Sequence, residues 1–236
     1  MKNLDLFKTI ILSFSIVVAG YFIGNISKNG KEYDRSVHVK GLSEKQVMAD
    51  LAVWPMNITL AGNDLKVLKD EIENQISEVK DFFINQGFTE EEIRVGTTNI
   101  NDSRAVLYDS GNQNRAFRYI VTSDFTVRTA DINKLQKGLS KSLELISKGI
   151  LIGSKNSWKP IEYSFSGLNK LKPSMIEEAT KNARKVAEKF ALDSNSKVSK
   201  IKNARQGLFT INDLDQNTAY IKIVRVVSTI EYQLED

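Results

Sequence analysis

The apolar positions of the chain recur at two periods, and the alternation between them predicts its elements. Between Pro173 and Ile201 the period is helical: Ile176, Ala179, Ala183, Val186 and Phe190 follow one another at steps of three and four, which sets them on one face of a helix. That face is expected to be buried. A row of small residues four apart, Ala179, Ala183, Ala187 and Ala191, runs beside it and predicts a close approach to a supporting sheet. Ser174 with Glu177 three residues on makes a capping box, and Pro173 stands just outside it, so the helix is expected to start there.

Upstream, residues 36–60 read as a hairpin turning at residues 41–44, with Val47, Ala49, Leu51 and Val53 alternating on one face. Beyond Trp54 and Pro55 the apolar positions become Met56, Ile58 and Leu60. This change of phase predicts a bulge or a sheet-edge position at Pro55, where a missing N–H is tolerated. A helix is expected over residues 64–86, with Leu65, Leu68, Ile72, Ile76, Val79 and Phe83 as its stripe and Gly87 closing it. Thr89 and Glu92 offer a second capping box for a short turn. Strands over residues 93–108 and 115–129 flank the turn sequence Asp109-Ser110-Gly111-Asn112. In the second of them Phe117, Tyr119, Val121, Phe125 and Val127 alternate with polar residues, the behaviour of an antiparallel strand with one wet face.

Another amphipathic helix begins at Asp131, carries Ile132, Leu135, Leu139, Leu143 and Ile146, and ends before Gly149. An apolar run at residues 150–152 and a strand with Ile161, Tyr163 and Phe165 lead to the alanine-rich helix. The chain closes on strands over residues 198–209 and 219–234. In the last, Tyr220, Lys222, Val224, Val226, Ser228, Ile230, Tyr232 and Leu234 share a face that Lys222 and Ser228 keep from being uniformly dry. The sum is α+β: antiparallel sheets with about three amphipathic helices packed on them.

Composition narrows the chemistry. The 236 residues include no cysteine, which excludes disulfides, thiolate metal sites and cysteine nucleophiles, and a single histidine, His38, which leaves little room for a histidine-rich metal site or a serine-histidine triad. The formal charge of +4 is a small difference between 33 basic and 29 acidic residues, interspersed along the chain, and is a weak sign of an anionic partner. The stretch from Thr9 to Ser27 has no charge and, as a helix, spans roughly 27 Å, close to a hydrocarbon core. Two readings are open: an uncleaved anchor in the cytoplasmic membrane, or a signal peptide cut after Val17-x-Ala19. The anchor is favoured because the apolar run continues through Tyr21, Phe22 and Ile23, and either reading exports the remainder to a periplasmic or extracellular location. The chain then divides into an anchor or signal segment at residues 1–27, a linker at 28–34 and one domain at 35–236.

That order of elements resembles the SIMPL-domain family, which includes bacterial oxidative-stress defence proteins and a periplasmic immunogenic protein. The resemblance covers about residues 35–236 and rests on Val37-His38-Val39-Lys40-Gly41, on the strand carrying Pro55, on Glu178-Ala179 with Ala183 and Ala187 in the last long helix, and on the closing alternating strand. It departs from the family at Met56, where an acidic residue is frequent, and at Leu192-Asp193-Ser194, where glycine is frequent. The resemblance implies an exported, often oligomeric protein with no established enzymatic activity, a link to stress defence, and no catalytic residues to carry over.

Individual residues support no chemistry of their own. His38 reads as an outward strand residue, and Gly149-Ile150-Leu151-Ile152-Gly153 lacks the lysine of a phosphate loop. Lys197, Lys200, Lys202 and Arg205 read as a solvated basic face and not as a nucleic-acid surface. The aspartates lack calcium-loop spacing. Trp54, Pro55 and Trp158 are the candidate interface residues, since each tryptophan stands near a strand end and a proline, with core packing as the default for both tryptophans. The chain is expected to have no cofactor, metal or catalytic site, to self-associate or bind an envelope protein through sheet edges and loops, and to meet the membrane through its N-terminal helix. The alternative is a small-molecule or lipid-binding module with a cleft between helices and sheet. An enzyme using carboxylates such as Asp50 or Asp124 is the residual reading.

Overall fold

A computed structural model describes residues 12–22, 35–105, 116–154 and 161–235. In chain order its elements are α1 (residues 12–22), β1 (Ser36–Met48), β2 (Leu51–Gly62), α2 (Leu65–Asn85), a single 3-10 turn (Glu90–Glu92), β3 (Ile93–Asp102), β4 (Tyr119–Thr129), α3 (Ile132–Lys141), α4 (Leu143–Ser147), β5 (Ile152–Ser154), β6 (Glu162–Ser164), α5 (Leu168–Asp193), β7 (Lys197–Gln206), β8 (Thr210–Asp213) and β9 (Ile221–Glu235). They sort into two units. The first takes Met1–Lys45, Asn169–Ile211 and Val224–Asp236, and the second takes Gln46–Leu168 and Asn212–Ile223.

The sheet of the first unit runs β1-β9-β7, with β8 also on β9. Its inner face is covered by α5, which buries Met175, Ala179, Ala183, Ala187 and Ala191. The alanine row is therefore the packing face. Val186 is exposed and Phe190 is 57% exposed, against the expectation from the wider apolar stripe. The reason is reach: side chains no larger than methyl let the helix backbone settle onto the strand, and Gly41 completes the contact from below. A Cβ built on Gly41 would overlap the Ala179 carbonyl oxygen and stand 2.6 Å from the Ala183 nitrogen. Gly41 is thus a contact residue and not a turn residue. β1 runs unbroken through residues 41–44, and the hairpin expected over residues 36–60 is not formed: the chain leaves β1 after Met48, and β2 belongs to the other sheet.

The start of α5 also differs from its capping signal. The helix begins at Leu168 and includes Pro173, so one helical N–H bond is forgone inside it. Tertiary bonds hold this end instead. Ser174 Oγ donates to the Leu171 carbonyl and accepts from Lys45 Nζ at 3.1 Å, while Glu178 accepts from Ser43 Oγ at 2.9 Å and Glu177 pairs with Lys181. On β9 the expected face is buried from Lys222 through Tyr232. Among the described residues Ser228 Oγ has no hydrogen-bond partner. The predicted strand over residues 198–209 ends at Gln206, where Gly207 N bonds to the Val227 carbonyl, and β8 follows.

The second unit is built on the sheet β3-β4-β2-β5, with β6 also on β2. Its buried set on β2 is Ala52, Trp54, Met56 and Ile58, in one phase throughout. The predicted bulge at Pro55 is absent: β2 pairs β4 without a break from Ala52↔Thr129 to Gly62↔Tyr119. Nor is β2 an edge strand, because β6 pairs Leu51–Val53 and β5 pairs Met56–Ile58 on its other side. Pro55 falls between those two short partners, where no ladder donor is required. The bulge lies in β3 instead, between Val95 and Thr98.

α2 covers this sheet. Asp64 caps it by accepting from Lys66 N and Val67 N, Gly87 follows at φ +90°, and its buried stripe gains Phe82 while Leu65 is exposed. Phe83 is the centre of the core, edge-on to Trp54, Phe82 and Phe88 and stacked on Phe125. The Thr89 and Glu92 capping box forms as read. Lys222, buried in this unit, is paired with Asp213.

The α+β class with antiparallel sheets holds, with four helices beyond α1. The exposed α1 lies within the apolar N-terminal run, and no helix among the described residues is long and apolar enough to cross a membrane. The rest of that run, the 28–34 linker, the turn at residues 109–112 and Trp158 lie outside the described residues. The backbone contact in the first unit makes a definite prediction. Gly41→Ala and Ala183→Leu each lower the urea midpoint of the first unit by ~1–3 kcal/mol equivalent or more, since neither overlap can be relieved by a rotamer change. Wild-type midpoints would place the alanine row in solvent.

Candidate apolar pocket

The second unit contains a half-open pocket of about 290 Å³ lined by Trp54, Leu139, Ser142, Leu143, Ile146, Ile150, Ile152, Gly153, Ser154 and Ile161. It exists because one predicted helix is two. Asp131 caps α3 by accepting from Lys134 N, but the helix stops at Ser142, whose hydroxyl turns back to donate to the Leu139 carbonyl at 2.7 Å. α4 follows, buries Leu145, and leaves Leu143 and Ile146 at the mouth, 70% and 54% exposed. Gly149, at φ +80°, reverses the chain and delivers Ile150 and β5 to the opposite wall. Trp54 supplies the floor from β2.

The lining has no ionisable side chain. Nothing in it can move a proton or carry a nucleophile stronger than a serine hydroxyl. What the pocket offers is apolar surface, and a group placed in it is held by exclusion from water.

The structure places Trp54 and Pro55 on β2 and His38, Asp50 and Asp124 elsewhere. Trp54 is 6% exposed and packs in the core of the second unit. Pro55 lies beside it on an interior strand, and Trp158 falls among the residues not described. His38 points outward from β1, with Nε2 3.5 Å from Glu231 Oε2. Asp124 opposes Asn57, seven residues along β2 from Asp50, so these two carboxylates form no pair. Among the described residues no cluster of three metal-ligating side chains occurs.

Two carboxylates in the second unit are held by dense bonding. Asp50 accepts from Ser166 N, Ser166 Oγ and Gly167 N at 2.8–3.1 Å, tying the turn after β1 to the residues before α5. Partial burial pushes its pKa up, but these bonds outweigh that and leave it below the usual value. Glu92 is bonded by Lys134 Nζ at 2.6 Å, Thr129 Oγ1 and Thr89 N. Desolvation again opposes, and the bonds from Lys134, Thr129 and Thr89 again lower the pKa. Lys134 also stands over the Phe88 ring at 4.9 Å. The first constellation joins two loops, and the second joins the 3-10 turn to the end of β4 and to α3. The signal for the pocket itself was slight, since nothing in the apolar spacing of residues 132–146 marks Ser142 as a break.

A family profile described as SIMPL, protein of unknown function (DUF541), matches residues 37–221. No curated protein matches the chain.

The two lowered carboxyls predict the acid limb of stability. Each is ionised in the folded chain at lower pH than in the unfolded one, so its contribution is complete above the ordinary carboxylate range and is lost as pH falls to the folded values. Between about pH 5 and pH 3 the wild type should therefore lose more of its urea midpoint than an Asp50→Asn, Glu92→Gln double variant. Parallel pH curves would show that neither carboxylate is coupled to folding.

Proposed function

Because the chain belongs to the SIMPL family of proteins of unknown function, we propose a binding role without chemistry of its own: an envelope protein whose pocket takes an apolar group of a small molecule or lipid. The observation that carries this reading is the pocket of about 290 Å³ whose walls are apolar and whose mouth residues, Leu143 and Ile146, are exposed. A monomeric soluble surface seldom leaves such side chains around a concavity without use. The uncharged run from Thr9 to Ser27 supports a membrane anchor and an exported domain, which brings the pocket to a source of acyl chains.

The test uses the full chain in a Trp158→Phe background, so that Trp54 is the only fluorophore of its kind. A bromine-labelled undecanoate should quench Trp54 saturably, and Ile146→Asp at the mouth should raise the dissociation constant at least about tenfold. Absence of saturable quenching, or quenching unchanged in the variant, removes the ligand-binding reading.

A second reading, self-association through a sheet edge, draws on β3. Among the described residues it ends its sheet, and it exposes Val95 and Ile100. An uncovered edge with apolar side chains is a template for another strand. Light scattering on the full chain should then give an oligomer that Ile100→Lys dissociates. A wild-type monomer, or an oligomer indifferent to Ile100→Lys, would set this edge aside.

A further inference from the structure

We propose that the outer face of the first unit's sheet carries a site for a small zwitterion, a molecule of amino-acid size with one carboxylate and one ammonium group. The site is a depression of about 200 Å³ lined by His38, Asn203, Arg205, Thr229 and Glu231. Its walls come from three strands in register. Asn203 on β7 opposes Glu231 on β9, Arg205 opposes Thr229, and His38 on β1 reaches Glu231 from the other side at 3.5 Å.

The charges in the depression are of both signs and are separated. At one end, the side chains of Arg205 and Thr229 engage no hydrogen bond, ion pair or ring contact among the described residues. A guanidinium left open beside a hydroxyl is a bidentate receptor for a carboxylate. At the other end stands the Glu231 carboxylate, one-fifth exposed, with His38 Nε2 at one oxygen and Lys202 Nζ 3.9 Å from the other. Neither approach is a short hydrogen bond, so the carboxylate retains acceptor capacity for an ammonium group. The Arg205 and Asn203 rows are two strand residues apart, roughly 7 Å. A small amino acid bridges that span with its carboxylate on the Arg205 fork and its ammonium group on Glu231.

The sequence positions this arrangement through irregularity. The register of β7 shifts between Val198 and Ile201 and again between Ile201 and Asn203, which brings Lys202 and Asn203 together at Glu231. Bulges commonly re-aim side chains in this way. A simple anion would meet Glu231, and a simple cation would meet Arg205 and Lys202. Only a ligand with both charges satisfies both ends.

His38 is the only histidine of the chain, so its ring signals report the site in the full-length protein without assignment. L-Alanine should shift them saturably in the millimolar range. Acetate and methylammonium, each carrying one of the two charges, should bind at least about tenfold more weakly. Arg205→Lys, which keeps the charge and removes the fork, should weaken L-alanine about tenfold while acetate stays weak. Glu231→Gln should bring the affinities of alanine and acetate together. No saturable shift with L-alanine, equal binding of acetate in the wild type, or wild-type affinity in Arg205→Lys would each overturn the proposal.

Discussion

The first unit depends on a backbone-to-backbone contact that leaves no room for a side chain. Gly41 of β1 meets the Ala179 carbonyl and the Ala183 amide of α5, and the helix achieves this only because every fourth residue on that side is alanine. The consequences spread outward. The inner face of β1 must alternate without interruption through Val39, Gly41 and Ser43, so the strand extends to Met48. α5 must turn its larger apolar residues, Val186 and Phe190, to the outside. Its first turns, which carry a proline, are then held by bonds from Ser43 and Lys45 on the same strand.

The second unit solves its packing with bulk. Phe83 is fully buried against four aromatic neighbours, and the strands around it expose little of their inner faces. Such a cluster fills space efficiently but ends abruptly where α3 breaks at Ser142. The pocket is the space the break leaves, floored by Trp54 at the edge of the same cluster. Its apolar character follows from its origin as unfilled core, and the proposed binding of an apolar group rests on that character.

Most of the fold was legible because it is written in period. The alternation on β9 and β4, the helix starts at Asp64 and Asp131 and the capping box at Thr89 appear where the pattern placed them, and α2 keeps most of its stripe. The failures share a cause: a local signal was read without the tertiary contact that overrides it. Gly41 carries a turn signal in isolation and is a contact residue in the fold. The capping box at Ser174 is complete in sequence, yet the helix begins at Leu168, with Ser174 engaged by Lys45 and Glu178 by Ser43. Pro55 marks a missing donor correctly, but the gap it needs lies between two short strands on an interior strand. Of the candidate sites, His38 was read as outward-facing, and the structure adds its neighbours from two other strands, which no spacing along the chain reveals. The pocket was invisible because Ser142 sits inside an unbroken helical pattern.

The contact at Gly41 can be observed directly. In a nuclear Overhauser experiment on the full chain, the two α-protons of Gly41 should show strong cross-peaks to the amide proton of Ala183 and to the protons of Ala179, as expected for groups in van der Waals contact. Cross-peaks from Gly41 confined to its sequence neighbours and to a hairpin partner within residues 36–48 would contradict the account, because β1 would then turn at Gly41 and α5 would rest on something else.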